Sequence, residues 1–173
     1  MAERRVIWAS TAGPGSPYDY LGIIRRTPMW TDWNIRHIAT HRAGSTAMKI
    51  AVFTRGTALF AVMLIRSRPN LVHLHAVGKR GSLFRSALLA WLSRLADVPV
   101  ILHMHATTFE RFQQDSPRVI RRLIRATLDR ADVVAVLGES EAGRLRVIAP
   151  DARIAVIPTA AELDALYRGV SLP

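Results

Sequence analysis

The chain has 173 residues, half of them hydrophobic, so it can form one domain with a substantial core and is not expected to be disordered. It contains no cysteine, which excludes disulfides, thiolate metal sites and thiol catalysis. Its 24 Lys and Arg residues outnumber 13 Asp and Glu residues, giving a net charge of +11. Such a basic surface attracts anionic lipids, phosphorylated substrates or nucleic acid, and charge alone does not choose among them.

The first predicted strand covers residues 4–9 and is followed by a loop that contains Gly13 and Gly15. This start is too charged, and its apolar run too short, for a secretory signal, so none is expected. A glycine loop after the first strand of an α/β domain lets a phosphate approach the backbone and the next helix. An ordinary turn fits equally well, because the third glycine of the usual phosphate-binding pattern is missing.

A second strand is predicted over residues 34–40, and a long helix from about residue 44 to residue 66. Within this helix, residues 56–65 form the longest apolar stretch of the chain, bracketed by Arg55 and Arg66. The stretch has about half of the ~20 residues that cross a bilayer. We expect a buried helix here, with a segment that dips into a membrane as the alternative.

Residues 70–108 are predicted to form a strand, a glycine-containing loop, an amphipathic helix and another strand, which together make a parallel βαβ unit. Ser82 is expected to cap the helix. The apolar side of the helix, expected to face the core, consists of Leu83, Phe84, Ala87, Leu88, Trp91, Leu92 and Leu95. The two strands end at His75 and His105, and ligands bind beyond the carboxyl ends of parallel strands, so both histidines are candidate site residues.

Residues 106–117 are predicted to be a polar loop that reaches over the strand ends. The helix that follows carries arginines along one side, namely Arg118, Arg121, Arg122, Arg125 and Arg130. This arginine side is either a solvated surface or a foot on an anionic membrane.

Two more strands, over residues 133–137 and 153–157, complete the pattern. The six predicted strands begin at Val6, Ile35, Leu71, Val100, Val133 and Ile154. This spacing is typical of repeated βα units, so we predict an α/β fold: a Rossmann-like, doubly wound, mostly parallel sheet of about six strands with helices on both faces. We expect residues 1–173 to be a single domain.

Four segments carry a family resemblance: LVHLH, VPVILHMHATTFERF, ADVVAVLGESEAGRLR and ARIAVIPTAAEL. In their order and spacing they resemble the amino-terminal half of a family 4-type GT-B glycosyltransferase, over roughly residues 4–165. In that family a strand ending in His-x-His precedes a strand ending in a histidine. A strand beginning Ala-Asp follows, and then a strand of the form V-x-V-I-P-N-G-V-D.

The resemblance implies transfer of a sugar from a nucleotide-sugar donor to a lipid-linked or glycan acceptor, with retention of configuration and no obligatory metal. It implies that this half binds the acceptor, that Gly13 and Gly15 approach the donor diphosphate, and that His105 lines the cleft near the reacting centre. In lipid-acceptor members, basic and apolar residues of this half attach it to a membrane. A cytoplasmic protein, peripheral on the inner face of the cell membrane, is therefore expected.

The sequence departs from the family pattern at two points. Residues 159–162 replace the usual Asn-Gly-Val-Asp after the sixth strand. We also expect this chain to lack the family's carboxy-terminal donor-binding domain. We therefore expect a missing domain or a partner subunit to supply the donor site, and the chain alone to be inactive.

Further candidate residues surround the two strand ends. Thr107, Thr108 and Glu110 follow His105 and can hydrogen-bond a sugar or a headgroup. Lys79 and Arg80, in the glycine-containing loop after His75, either hold a phosphate or form a solvated loop.

No metal site is expected, although the four histidines of these two strands would suit zinc. Neither strand carries a carboxylate, and two of the histidines, His73 and His103, are predicted to lie inside the sheet.

Two other classes of protein compete with the glycosyltransferase interpretation. A non-catalytic α/β module that binds a nucleotide or a partner protein is the alternative. A nucleic-acid binder is not expected, because the sequence has no recognisable motif and its few aromatic residues do not alternate with basic ones.

Overall fold

The computed structural model describes residues 4–12, 16–77, 79–105 and 109–157. Its centre is one six-stranded sheet in the order β2-β1-β3-β4-β5-β6, and every neighbouring pair is parallel. The strands are β1 (Val6–Ala12), β2 (Ile35–Arg42), β3 (Leu71–Val77), β4 (Val100–His105), β5 (Val133–Val136) and β6 (Ile154–Val156). The predicted doubly wound, parallel fold is confirmed.

Helices connect the strands within the described residues. They are α1 (Ser16–Arg25), α2 (Pro28–Asp32), α3 (Thr46–Ser67), α4 (Arg80–Leu95), α5 (Phe109–Gln114), α6 (Arg118–Arg130) and α7 (Glu139–Ile148). The chain moves outward from β1 to the edge strand β2 and then returns across β1 to β3 and onward to β6. The connections after β1 and β3 therefore leave in opposite directions, which opens a crevice at the carboxyl ends of these strands.

The two faces of the sheet bury two separate hydrophobic cores. Phe60 of α3, Leu89 of α4, Ile124 of α6 and Leu145 of α7 belong to the larger core. On the opposite face, α1 and α2 pack over β1 and β2 in a smaller core that includes Trp8. The chain thus has the helices on both faces that a parallel sheet needs to bury its apolar strands.

The Ala-Asp pair before β5 fixes the pairing of β5 with β4. The Asp132 carboxylate accepts a hydrogen bond from the Val100 amide at 2.8 Å, and the Asp132 amide donates to the Val100 carbonyl at 3.0 Å. Arg94 lies 3.5 Å from the same carboxylate. An aspartate at this position therefore supports the amino ends of the two strands.

The orientation predicted for α4 is wrong for its largest side chains. The helix buries a face of mostly small residues, comprising Ser82, Leu83, Ser86, Ala87, Leu89, Ala90 and Ser93. Phe84, Leu88, Trp91 and Leu95 point outward and are exposed. Because small residues face the sheet, the helix can lie close to β3 and α6. The row of larger apolar residues lies on the outer side.

The polar loop predicted over residues 106–117 is wrong for residues 109–114, which form α5. Phe109 is buried, and Phe112 packs against the same larger core. Two aromatic anchors among polar residues are enough to hold this single short helix on the domain.

The expectation of a buried helix over residues 56–65 is only partly correct. Along α3 only Gly56, Phe60 and Leu64 are buried. By length and composition α3 could cross a membrane, yet only 17% of its apolar window is buried within the protein. Most of this apolar helix therefore faces outward.

Gly56 allows α3 to lie directly on the backbone of β2. A Cβ atom built at Gly56 would overlap the carbonyl oxygen of Ala39, a rigid backbone atom. We predict that Gly56→Ala lowers the free energy of unfolding by about 1–3 kcal/mol, because either the helix or the strand must shift. Urea denaturation followed by circular dichroism measures this change.

Gly143→Ala in α7 is the matched control. A Cβ at Gly143 meets no atom within 4 Å, so the alanine should leave stability unchanged or raise it by up to about 1 kcal/mol. Equal losses in both variants would contradict a specific contact between α3 and β2.

Candidate functional site

A groove of about 940 Å³ opens at the carboxyl ends of β1, β2 and β3, between the amino-terminal halves of α3 and α4. One part of its lining is apolar and consists of Ile50, Phe53, Val77, Phe84 and Leu88. The other part is basic and consists of His41, Lys49, Lys79 and Arg85. The groove lies at the crevice where the chain direction reverses, which is the usual ligand site of such a sheet.

Local hydrogen bonds set the two walls of the groove. The Ser45 hydroxyl caps α3 by accepting a hydrogen bond from the Met48 amide at 3.3 Å, and this helix start directs Lys49 and Phe53 to the groove. Ser82 does not cap α4 as predicted, because the helix begins after Lys79. Its hydroxyl instead accepts a hydrogen bond from the Val77 amide at 3.0 Å, which ties the first turn of α4 to the end of β3.

The groove carries a positive potential. The pKa of His41 is lowered by its burial and also by the charges of Arg85, Lys49 and Lys79. Burial lowers the pKa of Arg85 as well, but a guanidinium keeps its charge at neutral pH. Three cations around a histidine that is neutral at pH 7 form an environment that favours an anion.

The opposite face of the sheet carries an aromatic column. Trp8 of β1 lies 4.2 Å from His73 and 4.9 Å from His75, measured between ring centroids. His75 is paired in register with His103 of β4, and their rings are 4.9 Å apart. Stacked and tilted rings therefore connect three neighbouring strands.

The three histidines of the column are the candidate metal ligands among the described residues. Their ring nitrogens lie within 4.8 Å of one another. Zinc bonds of about 2.1 Å would draw tetrahedral ligands to about 3.4 Å from each other. The rings of His73 and His103 are inclined to each other by 10° and those of His73 and His75 by 23°, as in stacked rings. The geometry favours packing, and the absence of a metal site stays a prediction.

The sequence-predicted site residues fall into different places. Lys79 lines the groove, and Arg80 next to it is the first residue of α4. His75 belongs to the aromatic column. His105 ends β4, where its backbone pairs with Val77, a groove residue.

The remaining predicted residues are only partly covered by the structure. Gly13, Gly15, Thr107 and Thr108 lie outside the described residues, as do the side chains of His105 and Glu110.

The arginines predicted as a membrane foot lie on the outer side of α6. Arg118, Arg121, Arg122 and Arg125 are all exposed. Arg125 forms ion pairs with Asp129 at 3.4 Å and Asp151 at 3.3 Å, so part of this side already has anionic neighbours. It is separate from the groove lining.

Sequence reasoning missed several groove residues, among them His41, Lys49 and Arg85. Two signals were available. Lys49 is a basic residue in the first turn of a helix that follows a glycine loop, and Arg85 is a basic residue about one turn into the helix of the next βα unit. These signals are weak without the strand order, because only the sheet brings the starts of α3 and α4 together.

The geometry defines the class of the protein: a Rossmann-like α/β domain with a basic and apolar groove at the carboxyl edge of its sheet. The family model described as a glycosyl transferase 4-like domain matches residues 5–160, and the chain belongs to this family. It is a family 4-type glycosyltransferase domain, so glycosyl transfer and sugar substrates in general follow. The comparison with curated proteins finds no match.

Arg85 should control the protonation of His41. We predict that Arg85→Gln raises the pKa of His41 toward its ordinary value of 6.5, because the largest charge contribution to its depression is removed. Titration of the imidazole signals by NMR measures this pKa. Arg146→Gln in α7 removes the same charge away from the groove and should leave His41 unchanged, and a similar shift in both variants would contradict the local origin of the effect.

His37 is a second histidine with an altered proton affinity. Its Nε2 atom lies 3.0 Å from the Ser10 hydroxyl, and burial together with the charge of Arg25 lowers its pKa from 6.5 to about 4. Between these two values the unfolded chain binds the proton more readily than the folded protein does. The stability linked to His37 is therefore complete above pH 6.5 and is lost as the pH falls toward 4.

We predict that His37→Gln, which keeps a polar partner for Ser10, makes the free energy of unfolding less dependent on pH between 6.5 and 4. The slope of the free energy of unfolding against pH should differ between the two proteins by an amount that approaches about one proton taken up on unfolding. Urea denaturation at several pH values measures it. Parallel curves for the two proteins across this range would contradict the assignment.

Proposed function

We propose that this chain is the acceptor-binding half of a retaining glycosyltransferase, which moves a sugar from a nucleotide-sugar donor to a lipid-linked or glycan acceptor. The observation that carries the proposal is the groove at the carboxyl ends of β1, β2 and β3. It combines an apolar wall with three cations, and the family to which the chain belongs transfers sugars.

The chemistry of the groove favours a lipid-linked acceptor over a free glycan. Ile50, Phe53 and Phe84 offer apolar contacts to a hydrocarbon chain. Lys49 and Arg85 offer charge-assisted hydrogen bonds to a phosphate. A phosphate-linked lipid uses both parts of this lining, whereas a neutral glycan leaves the apolar wall without a ligand.

The donor side of the reaction is assigned by resemblance and by position. In the proposal, Gly13 and Gly15 approach the donor diphosphate, and His105 lies at the reacting centre beside the groove. Thr107, Thr108 and Glu110 support the acceptor from the same edge, with Lys79 and Arg80 near its phosphate. A donor-binding domain or partner subunit completes the site, no metal is obligatory, and the protein is peripheral on the cytoplasmic face of a membrane.

The first experiment measures sugar transfer from a panel of labelled nucleotide sugars into a lipid extract. It compares the chain alone with the chain supplied with a donor-binding half. We expect transfer only in the second case, and its loss in a folded His105→Ala variant. Absence of transfer from the complete, folded pair across the donors and acceptors would overturn the proposal and favour a non-catalytic module that binds a nucleotide or a protein.

Arg85→Gln tests the groove as the acceptor site. We predict that the variant raises KM for the lipid acceptor about tenfold and leaves KM for the nucleotide sugar unchanged, because one charge-assisted contact to the acceptor phosphate is lost. Steady-state kinetics of the complete enzyme measure both constants. Arg146→Gln is the charge-matched control in α7, and a rise in the donor KM instead would place the donor phosphate in the groove.

A further inference from the structure

A second cavity lies at the amino ends of β1 and β2, at the edge of the sheet opposite to the groove. Its volume is about 320 Å³, and the last turns of α3 line one side of it. The polar residues of its lining are Arg5, Asn34, Arg36, Arg66 and Ser67. A cavity of this size is large enough for a small ligand, and the chemistry of the lining decides which class of ligand it suits.

Three different elements bring their arginines to this cavity. Arg5 directly precedes β1, Arg36 lies at the start of β2 in register with Ile7, and Arg66 lies in the last turn of α3. Each guanidinium keeps its charge at neutral pH. Within the described part of the chain, no Asp or Glu side chain lines the cavity. Three positive charges therefore surround it.

Hydrogen bonds of both its backbone and its side chain hold Arg5 in place. The Arg5 amide donates to the side-chain oxygen of Asn70 at 2.9 Å, and the Arg5 carbonyl accepts from the Asn70 amide at 2.8 Å. The Arg5 guanidinium donates to the carbonyl of Ser67 at the end of α3. Arg5 therefore sets one wall of the cavity and also caps the carbonyl end of the helix.

Capping of α3 does not account for all three charges. The carbonyl end of a helix carries roughly half a negative charge, and Arg5 already donates to it. Arg36 and Arg66 are exposed, and neither guanidinium forms a hydrogen bond or an ion pair with another residue that the structure describes. Two such guanidiniums at one cavity offer the paired donors that phosphate oxygens accept.

We infer that this cavity binds a small soluble compound through its phosphate or diphosphate group, with Arg36 and Arg66 as the donors. Arg5 adds its charge from the third side. The site is separate from the groove, because no described residue lines both of them. A lipid headgroup offers the same phosphate chemistry, so the test has to separate these two sources.

Titration of the 173-residue chain with inorganic pyrophosphate, followed by NMR of the amide signals, tests the inference. We expect saturable shifts at Ile7 and Met63, which line the cavity. Saturation at the groove as well agrees with the inference, and the dissociation constant used is then the one that Ile7 and Met63 report. Shifts confined to the groove residues Phe53 and Phe84 would overturn it.

The double variant Arg36→Gln, Arg66→Gln should bind pyrophosphate at the cavity at least tenfold more weakly, because both donors are lost. Both side chains are exposed, so the circular dichroism spectrum and the unfolding midpoint should not change. The control Arg121→Gln, Arg122→Gln removes two charges from exposed positions on α6 and should bind like the wild type. An equal loss in the two variants would reduce the effect to net charge and overturn the inference.

Two further measurements make the result specific. Arg36→Lys, Arg66→Lys keeps the charges but loses the planar forks, so its affinity should lie between those of the wild type and the glutamine variant. Vesicles containing phosphatidic acid test the other source: binding that depends on Arg36 and Arg66, without any binding of pyrophosphate, would overturn the soluble ligand in favour of a headgroup. The titration needs neither donor nor donor-binding half, so failure of the transfer assay leaves this test intact.

Discussion

The architecture depends on the parallel pairing of β1 with a strand on each side. Val6 is in register with Ile35 of β2 and with Leu71 of β3. The chain therefore runs from β1 to β2 on one side and then crosses back over β1 to β3 on the other side. This reversal is what separates the connections after β1 and β3. The groove and the start of α4, which make the carboxyl edge a candidate ligand site, lie where these two connections separate.

The fold could be predicted because strand spacing and apolar runs are local properties of the sequence. The orientation of α4 could not, since a row of apolar residues at helical spacing looks the same whether it faces the core or the outside of the domain. The apolar row therefore predicts an interior position for Phe84, Leu88, Trp91 and Leu95, while the small residues that do face the sheet give no signal. The helix over residues 109–114 could not be predicted either, because its composition is polar and only two aromatic residues attach it to the core.

The candidate site was harder to predict than the fold. Lys79 was found from its own strand and loop, but Lys49 and Arg85 join it only through the order β2-β1-β3. The spacing of the histidines predicts His75 as a site residue, but its ring packs in the aromatic column on the other face of the sheet. Alternation along a strand places a side chain on one of two faces, and the sequence does not say which face carries the site.

The hydrogen bond between the Ser82 hydroxyl and the Val77 amide has a mechanical consequence for the groove. It joins the wall formed by α4 to β3, one of the interior strands of the sheet, so moving this wall away from the sheet breaks the bond. The opposite wall belongs to α3, whose cap at Ser45 is a bond within its own first turn. A ligand wider than the groove would therefore displace the first turn of α3 more easily than the first turn of α4, which has to lose its bond to β3.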